Sequence, residues 1–317
     1  MASVVRRLLL ASPRGYCAGV ERAVETVERA LELHGSPVYV RRQIVHNVHV
    51  VNELEARGAV FVESEEDAPE GSLLVLSAHG VAPVVHERAG RRRLRTIDAT
   101  CPLVAKVHAE ARRYAAKGYT IVLVGHGGHE EVEGTLGEAP EATLFVETVE
   151  DAEHVPVPDP DRVAYITQTT LSLDETAEIV ATLRRRFPAI EGPDAGDICY
   201  ATTNRQRAVK ALATEVDLLL VIGSRNSSNS NRLVETARAA GVAAYLIEDE
   251  TGIEERWLEK VETVGVTSGA SAPEKLVGRV CEWFRARGVE EIRAAGSVVE
   301  DVLFRLPVQV RRALPAA

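Results

Sequence analysis

Short apolar runs alternate with longer amphipathic segments along most of the chain. The runs are rich in leucine and β-branched residues and are bounded by glycine or polar residues, which is typical of buried strands in a parallel sheet. The segments between them repeat their apolar positions with a helical period, and several end at a glycine, as helices often do. The predicted strands cover residues 38–40, 73–76, 121–124, 163–166, 218–222, 244–247 and 264–266, and the clearest helices cover residues 18–33 and 102–117.

This alternation of strand and helix predicts an α/β fold with mostly parallel sheets. The length of 317 residues exceeds what a single core usually serves, so we expect several domains. Two proline-rich segments, at 155–161 and 191–197, are the best linker candidates. We predict a first α/β domain at residues 16–100, a second at 101–195, a third formed by residues 1–15 and 196–286, and a C-terminal arm at 287–317.

The charge of the chain argues against some classes of partner. The net charge is −10, whereas nucleic acids and anionic membranes attract proteins with a dominant basic field. We therefore expect neither partner. The apolar run at residues 8–10 is too short for a secretory signal, and no stretch approaches the roughly 20 apolar residues of a membrane span. These features predict a cytoplasmic protein.

Three of the four cysteines share one kind of position. Cys17, Cys101 and Cys199 each stand between an apolar run and the start of a predicted helix. A helix N-terminus lowers the pKa of a thiol, so it favours a thiolate and the binding of a metal or an anionic cluster. Any one of them could instead be a small buried apolar residue, but three matched positions favour a shared metal site. Cys281 lies inside an amphipathic helix and is assigned to packing.

Three thiolates leave the type of metal site open. A structural zinc requires a fourth ligand. An iron–sulfur cluster held by three cysteines leaves one iron without a protein ligand, and a substrate could bind there.

Histidine, serine and asparagine follow several of the predicted strands. Open α/β sheets bind ligands beyond the carboxyl ends of their strands, so we expect these side chains to line a pocket. A pocket with many hydrogen-bond donors and few fixed charges suits a small phosphorylated ligand. The segment around Asn229 could equally cap a helix, and the two roles are compatible because a helix N-terminus also binds anions. The candidates are His46, His79, His126, His129, Ser227, Ser228, Asn229 and Ser271.

Two further residues are candidates for catalysis. Glu131 lies two positions after His129 in a glycine-flanked segment, and burial there would let its carboxyl donate a proton. Thr169 belongs to a hydroxyl-rich segment that follows a predicted strand and either joins the site or caps the next helix. The chain contains neither a P-loop nor a dinucleotide-binding glycine motif in the required context. Arg91, Arg92 and Arg93 form a basic run that is either a solvated helix end or a docking patch for an acidic electron carrier.

Together these segments resemble the family of 4-hydroxy-3-methylbut-2-enyl diphosphate reductases, the IspH/LytB family. The resemblance runs in order from about residue 10 to residue 276, and nine motifs in that order are highly specific. It implies three α/β domains around a pseudo-threefold axis, a central [4Fe-4S] cluster and no bound flavin or nicotinamide. The motifs are PRGYCAGV, VHN, SAHG, DATCPLV, GHGGHEEVEG, TQTTLS, CYATTNRQ, GSRNSSNSNRL and GASAP.

The resemblance also implies roles for individual residues. Cys17, Cys101 and Cys199 would hold the cluster, Glu131 would direct proton delivery, and Thr169 would lie beside the substrate hydroxyl. Reductive removal of this hydroxyl would yield isopentenyl and dimethylallyl diphosphate, with electrons from an external donor of the ferredoxin or flavodoxin type. Family members often have proline at the position of Glu130. The diphosphate of the substrate would be bound by His46, His79, His129, Ser227, Ser228, Asn229 and Ser271.

Two other functional classes fit the same residues. One is a zinc-dependent hydrolase of a small phosphorylated substrate, with three thiolates on the metal. The other is an iron–sulfur sensor without catalytic activity.

Overall fold

The computed structural model describes residues 5–193, 197–296 and 298–311. The strands in these ranges form three sheets, and every pairing between them is parallel. The predicted α/β fold with small parallel-sheet units is therefore confirmed. The chain divides into two compact units, one formed by residues 1–18, 46–50 and 200–303 and the other by residues 19–45, 51–199 and 304–317.

The first unit contains a five-stranded sheet in the order β10-β9-β11-β1-β12. Its apolar runs are continuous because both faces of the sheet are covered. Leu220 and Val266 pack in a cluster with Phe284 of α10, whereas Leu219 and Val221 pack in a second cluster that includes residues of α8 and α9. The elements are β1 (Arg7–Ala11), α8 (Tyr200–Leu212), β9 (Leu218–Ile222), α9 (Ser228–Ala239), β10 (Ala243–Ile247), β11 (Thr263–Ser268), α10 (Glu274–Arg285) and β12 (Glu291–Ala295).

The second unit contains two smaller sheets. The order is β3-β2-β4-β5 in one and β7-β6-β8 in the other. The first is built from β2 (Val38–Arg41), β3 (Ala59–Val62), β4 (Leu73–Leu76) and β5 (Arg95–Asp98), and the second from β6 (Thr120–Val124), β7 (Thr143–Val146) and β8 (Val163–Thr167). The helices are α1 (Ala18–His34), α3 (Pro83–Arg91), α4 (Pro102–Ala116), α5 (Glu130–Leu136), α6 (Val149–His154), α7 (Leu173–Arg186) and α11 (Val308–Arg311), while α2 (Val48–Ala56) begins in residues of the first unit.

Helices cover both faces of the three-stranded sheet. Val107 of α4 and Val132 of α5 pack against Ile121 and Ile166 on one face. Ile179 and other residues of α6 and α7 pack on the other. Glu131 lies in the first turn of α5 and contacts Thr169, which follows the end of β8 by two residues. Cys101 is the N-cap residue of α4.

All seven predicted strands are present, and the part of the chain that the structure describes contains five strands that the sequence did not predict. Four of these, β3, β5, β7 and β12, are edge strands, and each contains residues that are partly or fully exposed. The fifth, β1, was not recognised as a strand although it lies inside its sheet. β12 falls within the predicted C-terminal arm. The predicted domain boundaries remain predictions, and residues 1–4, 194–196, 297 and 312–317 of those ranges lie outside the described residues. No helix in the described ranges has the length and apolar character that crossing a membrane requires.

Candidate active site

The three candidate metal ligands all lie at helix starts. Cys17 directly precedes α1, Cys101 is the N-cap residue of α4, and Cys199 directly precedes α8. Each is partly exposed, and the four cysteines, all within the described residues, form no disulfide with one another. Cys281 differs, because it packs in the apolar core of the first unit and burial raises the pKa of its thiol. Burial in a core therefore sets Cys281 apart from the other three, which remain the candidate metal ligands.

The backbone around these cysteines follows one repeated pattern. The Cys17 amide donates to the carbonyl of Ala270 at 3.2 Å, the Cys101 amide to Ala78 at 2.9 Å and the Cys199 amide to Thr169 at 3.0 Å. Each acceptor is the second residue after a strand end, following β11, β4 and β8 respectively. The same local link between a helix start and a strand end thus occurs three times, which supports an internal repeat.

In the first unit, the candidate phosphate-binding residues surround the start of α9. Ser227 is the N-cap residue, and its side chain accepts from the amide of Ser230. The Asn229 side chain accepts from the Ala270 amide at 2.9 Å and donates to Thr202 Oγ1 at 3.1 Å. The N-cap role that the sequence left open is therefore confirmed for this segment.

His46 and Ser271 lie together in the same unit. Both are buried, and Ser271 Oγ donates to the His46 carbonyl at 2.9 Å. The Nδ1 atom of His46 is 3.2 Å from the Nδ2 atom of Asn226. This contact fixes the orientation of the imidazole ring, and Asn226 was not recognised in the sequence although it stands next to Ser227.

In the second unit, His79 and His129 are close together. Their ring centroids are 5.8 Å apart with the rings edge to face. Burial lowers the pKa of both histidines to about 4, with Arg42 adding to the effect at His79 and His79 adding to it at His129. Both imidazoles are therefore neutral at pH 7. Neutral histidines still offer hydrogen bonds, and a bound anion would favour their charged forms.

Glu130 contacts His79, one of these two histidines. One of its carboxylate oxygens lies 3.3 Å from Nδ1 of His79 and 3.4 Å from Oγ of Ser77. His126, the remaining histidine of this loop, instead lies 3.2 Å from the half-exposed Glu147. His126 thus pairs with Glu147, and its charge also contributes to the lowered pKa of His129.

Glu131 is held by Thr169 within the second unit. The Thr169 amide donates to Glu131 Oε1 at 2.6 Å, and Thr169 Oγ1 is 3.1 Å from Glu131 Oε2. Glu131 is only 3% exposed, and burial raises the pKa of its carboxyl to about 7 even though both hydrogen bonds oppose the shift. Burial thus gives Glu131 the property that a proton donor needs near neutral pH.

Asp197 was missed because the sequence placed it at the end of a predicted linker. Its carboxylate accepts from Nζ of Lys106 at 3.0 Å and from the Thr167 amide at 3.1 Å. The negative charge of Asp197 also contributes to the raised pKa of Glu131. Its position two residues before Cys199, in the order DICY, was the available signal.

Comparison with known proteins identifies the family. A family model described as LytB protein matches residues 8–285. The chain belongs to the LytB family. Two relatives that carry the name 4-hydroxy-3-methylbut-2-enyl diphosphate reductase are those of Acidothermus cellulolyticus and Streptomyces coelicolor. The first is 61% identical, over 98% of this chain and 92% of the relative, and the second is 57% identical, over 99% and 93%.

Solved structures of LytB relatives share the fold. The structure described as E-1-hydroxy-2-methyl-but-2-enyl-4-diphosphate reductase from Plasmodium falciparum matches with a TM-score of 0.94 and 40% identity, over 97% of this chain and 98% of that one. A second structure, described as (E)-4-hydroxy-3-methyl-but-2-enyl diphosphate reductase, matches with a TM-score of 0.63 and 32% identity, over 89% and 100%. The family resemblance inferred from the motifs is confirmed.

Proposed function

We propose that this chain is a reductase of 4-hydroxy-3-methylbut-2-enyl diphosphate that forms isopentenyl and dimethylallyl diphosphate, the last step of the non-mevalonate isoprenoid pathway. The observation that carries the proposal is the buried Glu131, whose carboxyl has a pKa of about 7 and is bonded to Thr169. Reductive removal of a hydroxyl requires a proton donor of this kind. The names and near-complete coverage of the LytB relatives support the same activity.

A [4Fe-4S] cluster held by Cys17, Cys101 and Cys199 is the proposed cofactor. The donor set fits this group, because the three thiols are partly exposed, unbridged by disulfides and located at helix starts that favour anionic ligands. When bound, the cluster would supply electrons and an iron without a protein ligand that acts as a Lewis acid on the substrate hydroxyl.

The diphosphate would be bound by neutral hydrogen-bond donors. Ser227, Ser228 and Asn229 form the start of α9, where a helix N-terminus favours an anion. The remaining proposed ligands are His46, His79, His129 and Ser271. Anchoring the diphosphate would use its binding energy to hold the hydroxyl end of the substrate in one place.

Glu131 is the proposed proton donor and Thr169 its partner next to the substrate hydroxyl. The reaction breaks the allylic C–O bond and consumes two electrons and two protons. One proton leaves with the hydroxyl as water, and the other adds to carbon at either end of the allyl group, which accounts for two products. Glu131 is placed to hold the first of these protons, since its carboxyl retains a proton up to about pH 7.

The electron donor is proposed to be a small acidic carrier of the ferredoxin or flavodoxin type, in the cytoplasm. The basic run Arg91, Arg92 and Arg93 is only partly available to such a carrier. Arg92 donates to the Ala68 carbonyl at 2.8 Å, and Arg93 lies 3.4 Å from Glu70. Arg91 is exposed at the end of α3.

Anaerobic purification followed by iron, sulfide and zinc assays tests the cofactor. Turnover of the allylic diphosphate with a chemical reductant then tests the reaction. We expect the iron and sulfide contents to correspond to one [4Fe-4S] cluster per chain, and we expect both products to form. Zinc without sulfide would indicate the hydrolase, and a full cluster without turnover would indicate the sensor.

A further inference from the structure

Arg205 is a fully buried arginine in the first unit, with 0% of its surface exposed. It lies in α8, and most of its hydrogen bonds leave that helix. Its Nη2 atom donates to the Gly15 carbonyl at 2.7 Å and reaches the Tyr16 carbonyl at 3.5 Å. Its Nη1 atom donates to both carboxylate oxygens of Glu300, each at 3.1 Å.

The two carbonyls that Arg205 contacts directly precede Cys17. Gly15 is also held from its amide, which donates to Ser268 Oγ at 2.8 Å, and it has a φ of 75°, which favours glycine. The Cys17 amide is in turn bonded to Ala270. The backbone leading to the Cys17 thiol is therefore fixed on one side by the end of β11 and on the other by Arg205.

Burial of a guanidinium is costly unless its charge and its donors are satisfied. Glu300, 12% exposed in its side chain, supplies the compensating charge from the C-terminal part of the chain. The planar guanidinium of Arg205 can donate hydrogen bonds to Glu300 and to the Gly15 carbonyl at the same time, whereas a lysine ammonium at this position could not. Glu300 thus compensates the charge of Arg205, and the hydrogen bond to the Gly15 carbonyl ties Arg205 to the segment before Cys17.

Arg22 has the same arrangement in the second unit. Its Nη1 atom donates to the carbonyls of Ala99 at 2.9 Å and Thr100 at 3.0 Å, and these two residues directly precede Cys101. Its Nε atom donates to the carbonyl of Arg305 at 2.8 Å, again in the C-terminal part of the chain. Two arginines on different helices therefore each bind the two carbonyls before a candidate ligand and one group from residues 300–305.

We propose that Arg205 and Arg22 are positioning residues that hold the thiols of Cys17 and Cys101 in place for the metal site. Glu300 fixes the guanidinium of Arg205, and the Arg305 carbonyl fixes that of Arg22. The proposal rests on the proposed cluster ligands. It assigns the C-terminal residues 300–305 a part in forming the site, although they contain no candidate ligand.

Cysteine alkylation in the cluster-free protein tests the proposal without relying on the cluster. Anaerobic treatment of Arg205→Lys, Glu300→Gln and Arg22→Lys with iodoacetamide, read by mass spectrometry, gives the rate at each cysteine. Both lysine variants keep the positive charge. Loss of a hydrogen bond to a charged group should raise the Cys17 rate relative to Cys101 by about tenfold in Arg205→Lys, and Arg22→Lys should change the same ratio in the opposite direction.

Arg238→Lys is the matched control, because Arg238 also binds a backbone carbonyl in the first unit, that of Ala244 in β10, which does not precede a cysteine. Its Cys17 to Cys101 ratio should equal that of the parent. Circular dichroism checks folding, and Glu300→Gln carries the test if Arg205→Lys does not fold. The proposal would be overturned if the ratio of the Cys17 to the Cys101 alkylation rate were unchanged in folded Glu300→Gln and Arg205→Lys. It would also be overturned if Arg205→Lys and Arg22→Lys shifted this ratio in the same direction. Iron content of the parent separately reports whether the proposed cluster is present.

Discussion

Thr169 binds the Glu131 carboxyl through both its backbone amide and its hydroxyl, at 2.6 and 3.1 Å. These bonds favour the ionised form, yet burial outweighs them and the pKa of Glu131 rises to about 7. Burial therefore leaves the carboxyl about half protonated at neutral pH, while the two bonds from Thr169 fix its direction. In addition, the Thr169 carbonyl accepts from the Cys199 amide, so one residue links the proposed acid to a proposed cluster ligand.

Replacing Glu131 with glutamine should abolish proton delivery while leaving the site assembled. Glutamine keeps the size and an acceptor for the Thr169 amide, but it cannot donate a proton in the reaction. General acid catalysis typically contributes 10²–10⁴-fold, so kcat should fall by about that factor. Iron content and substrate affinity should match the parent. Near-normal turnover in this variant would mean that the proton comes from another group.

The raised pKa of Glu131 also predicts a pH dependence of stability. Between its ordinary value of 4.5 and the folded value of about 7, the folded state binds more protons at this residue than the unfolded state does. Stability should therefore fall as pH rises through this window and stay level above it, with a cost of about 3 kcal/mol at pH 8.

Denaturant unfolding of the cluster-free parent and of Glu131→Gln at pH 5 and pH 8 measures this cost. The glutamine variant does not titrate, so its stability relative to the parent should increase from pH 5 to pH 8. The cluster-free state is required because a bound metal would add its own linkage to stability. Equal differences at the two pH values would show that Glu131 titrates normally.

The sequence predicts the buried strands well because their pattern is local. β9 is buried along its whole length and reads as one apolar run, LLLVI. β12 has the sequence EIRAA with no fully buried residue, so nothing local distinguishes it from an irregular segment. It becomes a strand only because it pairs with β1. The two strands are more than 280 positions apart along the chain, as the pairing of Arg7 with Glu291 shows.

The same distinction applies to the site. The cysteines and histidines stand in glycine-flanked motifs, and their chemistry is visible from residue type alone. Arg205 was missed because a single arginine in a helical segment is usually solvated. Its acceptor at Gly15 is 190 positions away, so only the folded chain shows that the arginine is buried. The role of Asp197 was likewise hidden until β8 supplied the Thr167 amide.

Serine substitution of the cysteines should divide them into two classes. Cys17→Ser, Cys101→Ser and Cys199→Ser should each lose most of their iron after anaerobic reconstitution, because each removes one of three proposed ligands. Cys281→Ser is the control, since this residue packs in the core of the first unit and no cluster role is proposed for it. Full iron in any of the first three variants would remove that cysteine from the ligand set.

Asn229 and Ser228 should differ although they are adjacent. The Asn229 side chain joins the Ala270 amide to Thr202, and Ala270 also accepts from the Cys17 amide. Asn229→Ala should therefore weaken diphosphate binding and also lower cluster retention. Ser228→Ala should weaken binding alone, by about tenfold for a lost bond to a charged group. Titration with inorganic diphosphate and iron assays on both variants would separate the two effects; equal iron loss in both would contradict the prediction.

The two neutral histidines predict that diphosphate binds with uptake of protons. Burial lowers the pKa of His79 and His129 to about 4 in the free protein, and a bound anion raises the pKa of a neighbouring histidine. Binding should therefore strengthen as pH falls from 8 to 6, because protonation of the histidines is favoured only in the complex.

Protonation of diphosphate itself opposes this trend, so the informative quantity is the difference in pH dependence between the parent and His79→Asn. Calorimetric titration of both at pH 6 and pH 8 should show the larger gain in affinity at low pH in the parent. The same pH dependence in the parent and in His79→Asn would mean that His79 stays neutral in the complex.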